Sequence, residues 1–406
     1  MAAVDAAAPQ PAGLGLTLLA LVAAQVGLHG CLNGMRLAVP LLAAQEGRSA
    51  AVIGVLMSMF AVFPFLIAIP AGRLADRRGY HLPARLAAGL ACAGAALAAL
   101  SQNLWALGVA AALAGAGSAI GMIALQRTAG RLASNSAERL SIFSWVALAP
   151  SVATFVGPVL AGTLIDHLGW RAAFAGLALL PLLTLAASAV VPRDAVAALP
   201  AAAAAGAPAS RGAAWDLLGN GDLRRLFFIN WLIAACWDAH AFALPILGHE
   251  RGLSASAIGA VLASYAVTSA AVRLAIPFMA ERLQPRLLMP GALALTAAVF
   301  GLYPWLDSAW AMAACAGALG IGLGGIQPAV MSTMHALTPD GRQGEALGLR
   351  STVIHFSTLV MPLVFGTMGA ALGVAPVFWL TGLALSAGAW QARQLPGSDD
   401  AASVRR

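Results

Sequence analysis

The chain has 406 residues, 60% of them hydrophobic and 10% charged, with a formal net charge of +7. Soluble domains carry about 25% charged residues, so the composition excludes a soluble protein. On a membrane chain a positive balance reports orientation rather than affinity for nucleic acid.

The N-terminal stretch MAAVDAAAPQP has no basic residue ahead of the first apolar run, which argues against a cleaved signal peptide. A bilayer core about 30 Å thick needs roughly 20 helical residues, and twelve runs meet that length. In chain order the predicted spans are 14–44, 51–72, 82–100, 104–127, 141–166 and 170–191, then 223–248, 255–279, 286–305, 309–335, 344–370 and 373–392. Lipid satisfies no backbone hydrogen bonds, and the runs lack the alternation of barrel strands, so each reads as a helix. Residues 192–222, rich in Ala, Pro and Gly, divide the spans six and six. The expected organisation is an N-terminal bundle over 1–191, a cytoplasmic linker over 192–222, a C-terminal bundle over 223–395 and a cytoplasmic tail over 396–406.

Every residue counted under Lys+Arg is Arg. With both termini in the cytoplasm, Arg73, Arg77, Arg78, Arg131, Arg139, Arg224, Arg225, Arg282 and Arg342 fall on the cytoplasmic side, against Arg48, Arg171 and Arg251 outside. That asymmetry is the positive-inside rule. It leaves Arg36 as the one Arg deep in a span. Cys31, Cys92, Cys236 and Cys315 all lie within spans, at spacings that suit neither a zinc site nor a disulfide framework. They read as small buried thiols, and no metal or cofactor is expected.

The two halves repeat each other. SAAVIGVLMSMFAV from Ser49 matches SASAIGAVLASYAV from Ser254, a shift of 205 that also carries Pro40 onto Pro245 and Asp76–Arg77 onto Glu281–Arg282. Residues 157–169, GPVLAGTLIDHLG, match 361–373, MPLVFGTMGAALG, at a shift of 204, and Phe174 then falls on Phe378. Duplicated six-helix halves related by an axis along the membrane normal are a transporter plan, with the substrate held between the halves.

Between the second and third spans stands GRLADRRGY, in which Gly72, Leu74, Asp76, Arg77 and Gly79 follow the outline G-x-L-x-D-R-x-G. This resembles the loop signature of the major facilitator superfamily, as do GPVLAG over 157–162 and GWRAAF over 169–174. Tyr80 and His81 replace the usual basic pair, and the second-half copy keeps Glu281 and Arg282 without the glycines. The resemblance implies an all-α membrane protein of twelve transmembrane helices in two pseudo-symmetric six-helix bundles. It implies that the loop latches the cytoplasmic side, and that Gly157, Pro158 and Gly162 form a hinge in the fifth span. Asp76 is placed to face a helix N-terminus or an Arg across the loop.

The first span carries Gln25, His29, Asn33 and Arg36 within about an 80° arc. A polar stripe in the membrane faces the protein interior or a wet cavity. The 205 shift places Asp238 on Asn33 and Asn230 on Gln25. Asp238 and His240 are two residues, about 200°, apart on the helix and splay, with Trp237 between them. An ionised Asp at the bilayer centre costs at least about 2.5–3.5 kcal/mol, so Asp238 is expected to be paired, wet or protonated. Burial and a neighbouring Arg act on such a group in opposite senses. Asp238 therefore reads as a proton-coupling carboxylate, with Arg36 as its counter-ion or as the anchor of an anionic substrate. The alternative is a static buried pair. In the eleventh span Ser351, His355, Thr358 and Pro362 form a second stripe within about 60°. His29, His240 and His355 are candidate proton carriers. Gln126 and Gln327 read as gate or cavity groups on the cytoplasmic side. Trp105, Trp170, Trp305 and Trp310 sit at outer ends as interface anchors, while Trp145, Trp231 and Trp237 lie deeper.

These features point to a secondary active transporter of the bacterial inner membrane, multi-pass and monomeric. It works by alternating access and is proton-coupled. Its partners are lipid, protons and a small polar or anionic organic solute. A proton-driven drug or metabolite efflux antiporter is the alternative, although the fourth span lacks the Arg and the fifth the longer glycine motif that such antiporters carry. A non-transporting membrane sensor is the alternative from another class. No nucleophile–base pair falls on adjacent turns, so no enzyme is expected.

Overall fold

The structure is a computed structural model that describes residues 14–132, 142, 145–146, 148–191, 214–279, 285–339 and 342–395. Its long helices are α1 (Leu14–Gln45), α2 (Ala50–Arg78), α3 (His81–Leu100), α4 (Leu104–Leu132), α5 (Leu148–Leu168) and α6 (Trp170–Val190). After them come α7 (Gly221–Glu250), α8 (Ala255–Met279), α9 (Pro285–Leu302), α10 (Ala309–Leu337), α11 (Gln343–Leu372) and α12 (Ala375–Arg393). Eleven of these helices, all but α12, are long and apolar enough to cross a membrane, so the chain is an all-α, multi-span membrane protein. α12 lies against α9 and α7. Exposed large apolar side chains such as Leu66, Leu182 and Leu383 cover the outer faces, as a protein solvated by lipid requires.

The helices begin and end close to the predicted spans, with two differences. α2 continues to Arg78, past the predicted 72, and α4 continues to Leu132, so that Arg127 lies inside a helix. The described residues include the C-terminal part of the predicted linker. A 3₁₀ turn occupies Ala214–Gly219, and Asn220 caps α7 by accepting from the Asp222 and Leu223 N–H groups at 2.9 and 3.2 Å. The Asn cap satisfies otherwise orphaned N–H donors, which starts the helix two residues early. The rest of the linker, the C-terminal tail, Glu281 and Arg282 lie outside the described residues.

Short turns alternate the helices between two ends. The proximal end carries the start of α1 and the end of α12. The distal end carries the α1–α2, α3–α4, α5–α6, α7–α8, α9–α10 and α11–α12 connections.

The internal repeat recurs in backbone geometry. Gly47 and Gly252, 205 apart, have φ of 70° and 69°, and Gly169 and Gly373, 204 apart, have φ of 81° and 84°. Around Gly47, the Arg48 N–H reaches the Ala43 carbonyl and the Gly47 N–H the Ala44 carbonyl, both at 2.9 Å. Leu253 and Gly252 make the same two bonds to Gly248 and His249 at 2.9 Å. This is the crossed C-terminal cap that needs a left-handed glycine. Ser49 and Ser254 then accept from the N–H groups of Val52 and Ala257.

Glycines also set how closely the halves meet at the distal end. Gly54 of α2 faces the Pro362 carbonyl of α11, and Gly259 of α8 faces the Pro158 carbonyl of α5. Gly366 of α11 lies against Ala50 and Ala51, and Gly162 of α5 against Ala255 and Ser256. Each of these residues maps onto its counterpart under the 204–205 shift. A Cβ at any of the four glycines would collide with backbone, so the close approach depends on small residues. One pair of bonds has no counterpart. The Asp166 carboxylate of α5 accepts from the Ala255 and Ser256 N–H groups of α8 at 3.0 and 2.7 Å, whereas the equivalent position on α11 is Ala370.

Candidate functional site

The acid raised by the α7 sequence meets the buried Arg of α1. Arg36 Nη2 donates to Asp238 Oδ1 at 3.5 Å, with side-chain exposures of 14% and 1%. Ser357 Oγ of α11 donates to the other carboxylate oxygen at 3.3 Å. Both oxygens of Asp238 are therefore engaged, which a buried carboxylate requires. One turn toward the proximal end, Asn33 Nδ2 donates to Thr154 Oγ1 of α5 at 3.2 Å.

The predicted α1 stripe divides into two faces. Asn33 and Arg36 turn toward α5 and α7, whereas Gln25 and His29 turn toward α4. Gln25 Nε2 lies 2.5 Å from His29 Nδ1, and Ser118 Oγ of α4 lies 3.1 Å from the same nitrogen. An arc of about 80° is wide enough to face two neighbouring helices, and α1 packs against α4, α5, α6 and α7.

Asp238 and His240 splay, as their spacing demands. His240 Nε2 pairs with the Tyr303 hydroxyl at 3.0 Å in the second half. Both residues are buried. Tyr303 further stacks on Phe378, with ring centroids 5.1 Å apart.

Two adjoining cavities lie between the halves. The larger, about 250 Å³, is lined on its polar side by Ser151 and Thr154 of α5, Asn230 of α7, Ser269 and Arg273 of α8, Gln327 of α10 and Thr358 of α11. The smaller, about 30 Å³, is lined by Asn33, Arg36, Pro158 and His240 among others. Trp237 and Tyr265, with ring centroids 4.7 Å apart, belong to both walls. Among the described residues, no carboxylate lines either cavity. Asp238 sits behind Arg36.

Two further Arg, in the proximal turns of α8 and α11, reach the larger cavity or its lining. Arg273 Nη1 donates to Ser151 Oγ at 3.2 Å, which joins α8 to α5 across the halves. Arg350 donates from Nε to Asn230 Oδ1 at 3.0 Å and from Nη2 to Gln327 Oε1 at 2.5 Å. Both lie near the proximal ends of their helices, on the side where the charge asymmetry puts most Arg, and their long side chains reach neutral acceptors at the cavity. Arg273, Tyr265 and Ser357 were missed by sequence reasoning. The charged residue inside the eighth span was the available signal for Arg273.

The α11 stripe also departs from expectation. Ser351 and His355 are exposed, Thr358 lines the larger cavity, and Pro362 is buried against α2. Asp238 is met by Ser357, one position outside the stripe, and by Thr358 within it. In the loop motif, Gly79 ends α2 with φ 69°, and α3 starts at His81. That turn needs glycine. Tyr80 is buried beside it, Arg77 is exposed, Leu74 is half-buried and Gly72 has open space around it. The Asp76 side chain, with Glu281 and Arg282, lies outside what the structure describes. Gly157, Pro158 and Gly162 form a packing seam, in which Gly157 lies against α1 and the other two against α8. Gln126 is exposed. Trp105, Trp305 and Trp310 are exposed at helix ends, Trp170 is half-buried and Trp145 is exposed. All four cysteines are free thiols.

The sequence profile of the Major Facilitator Superfamily matches residues 19–223 and 226–398. The chain belongs to that superfamily, a class of secondary membrane transporters rather than enzymes. No curated protein matches it. Among solved structures, it is similar to a POT family transporter in complex with a thioalcohol-conjugated peptide, at 14% identity and a TM-score of 0.74. It is also similar to a POT family transporter in complex with 5-aminolevulinic acid, at 14% identity and a TM-score of 0.71. Each alignment covers 92% of this chain and 94% of the other. At that identity the likeness is one of fold.

Proposed function

We propose that this protein moves a small polar or anionic organic solute across a bacterial inner membrane by alternating access, coupled to protons. The two halves, 1–191 and 223–395, act as pseudo-symmetric six-helix bundles, with both termini, the linker over 192–222 and the tail over 396–406 in the cytoplasm. The paired distal glycines and the shared turn geometry support two related bundles. The reading rests above all on the Arg36–Asp238 pair, which joins α1 of one half to α7 of the other beside the cavities.

In this mechanism a proton reaching Asp238 neutralises the carboxylate and weakens its hold on Arg36. The halves then lose their charged tie and rock about the central cavity. Loss of the proton on the opposite side re-forms the tie. Drug efflux is less well supported, because a lipophilic cation would face Arg36 and Arg273, with Arg350 behind Asn230 and Gln327 and no carboxylate among the described lining residues.

Flux into proteoliposomes under an imposed pH gradient tests the proposal. Asp238→Asn is expected to abolish gradient-driven accumulation while retaining solute exchange. Full gradient-driven accumulation by that variant would remove Asp238 from the coupling step.

A further inference from the structure

The polar groups of the larger cavity are unbalanced in charge and in hydrogen-bonding character. Two guanidinium groups, from Arg273 and Arg350, line it or hold its lining residues, and their recorded partners are neutral oxygens of Ser151, Asn230 and Gln327. Neither Arg pairs with a carboxylate among the described residues. Arg36, by contrast, is matched by Asp238. A guanidinium carries five N–H donors and no acceptor, so each of these two keeps donors beyond the bonds it makes. Asn230 is 2% exposed and directs its oxygen to Arg350, while its Nδ2 has no partner. A buried amide donor without a partner is a standing loss of free energy. Uncompensated positive charge within the membrane is a larger one.

We infer that the cavity takes a small organic carboxylate, held between Arg273 and Arg350 with Asn230 Nδ2 as a third donor. The inference rests on the transporter reading and names the substrate class of the same site. The anion supplies what the cavity lacks, namely negative charge and acceptor oxygens. Guanidinium–carboxylate pairing can be bidentate and charge-assisted. At about 250 Å³ the cavity is smaller than the roughly 300–1,000 Å³ of drug-sized pockets, which suits a compact acid. Trp237 and Tyr265 provide an apolar wall for its carbon skeleton. Arg273 also bridges to Ser151 of the other half, so an anion that draws Arg273 inward competes with a contact between the bundles. Binding is thereby linked to the movement of the halves.

The test is calorimetric binding to the full-length protein in nanodiscs, with lactate, succinate and benzoate as probes. Glucose, glycinamide and tetraphenylphosphonium serve as non-anionic controls. At least one carboxylate is expected to bind, and the controls are not. Arg273→Gln and Arg350→Gln are each expected to weaken that binding about tenfold or more, the scale of one lost charge-assisted contact. Arg273→Lys and Arg350→Lys keep the charge without the fork, and are expected to lose less. They also preserve the readout if a Gln variant fails to fold. Binding of no carboxylate, equal binding of the controls, or binding unchanged in both Gln variants overturns the inference. Proteoliposome flux separates the two levels of the argument. Carboxylate binding with these variant effects but no flux would leave the site and remove the transporter reading. Flux of a neutral or cationic solute, unchanged in the Arg variants, would leave the transporter reading and remove the carboxylate.

Discussion

Asp238 and Arg36 form a pair that is more sensitive to the loss of one member than to the loss of both. Removing one partner strands a buried charge, at about 3–5 kcal/mol, whereas an apolar replacement of both is often near neutral. Arg36→Met should therefore lower the unfolding temperature markedly. The double variant Arg36→Met/Asp238→Leu should recover most of that loss, although it will not couple transport to protons. Thermal unfolding of the three proteins checks this. At Tyr303 a smaller effect is expected. Tyr303→Phe removes the hydroxyl bonded to His240, and should cost about 1 kcal/mol with transport retained, measured by the same unfolding assay together with flux. The contrast shows what residue-level reading reaches. A charge in an apolar run stands out in one dimension, so Asp238, Arg36 and Asn230 were legible. Ser357 and Tyr265 were not, because hydroxyl residues are common in helices and only packing decides which of them meets a carboxylate or a cavity. Gln25 and His29 were found as part of one stripe with Asn33 and Arg36, and only packing separates them toward α4, since a helical wheel fixes relative angle and leaves open which helix occupies each direction.

Among the elements, the meeting of α5 with α8 at the distal end is held by both shape and charge. Gly162 admits the α8 backbone, and Asp166 accepts two of its first N–H groups. Loss of a capping side chain costs about 0.5–2 kcal/mol, and a carboxylate at a helix N-terminus adds a favourable dipole interaction. Asp166→Ala is therefore expected to shift the balance from distal-closed toward distal-open by roughly two- to thirtyfold. Spin labels at Arg48 and Leu372, in a background without the four native cysteines, would report the shift as a longer distance population. An unchanged distribution would mean that the glycine seam alone holds the end shut. The helices themselves were nearly all legible, because lipid forces every span into the same secondary structure. Their ends were less so. The start of α7 is set by a single Asn cap, and α2 ends at a glycine whose need for positive φ is invisible until the turn is built.

For the whole molecule, closure at one end and a cavity reaching toward the other define the conformation described. A membrane-impermeant thiol reagent should then modify Ala234→Cys, on the wall of the larger cavity, from the proximal side only. Labelling of oriented vesicles from each side checks this, and ligand should protect the position. The duplication was legible as a register of 204 or 205 residues. What the sequence left open was where the duplicated surfaces meet. They meet on each other: a glycine of the first half faces a proline carbonyl of the second, and the matching glycine of the second faces the matching proline of the first. That reciprocity is the rule of a two-fold homodimer, in which residue i contacts j and j contacts i. The distal seam thus has the form of an isologous subunit interface retained within a single polypeptide. Its two copies are no longer equal, since Asp166 has only Ala370 as its counterpart. A symmetric joint strengthened on one side is expected to part first on the other, along α2 and α11, with α5 and α8 as the pivot.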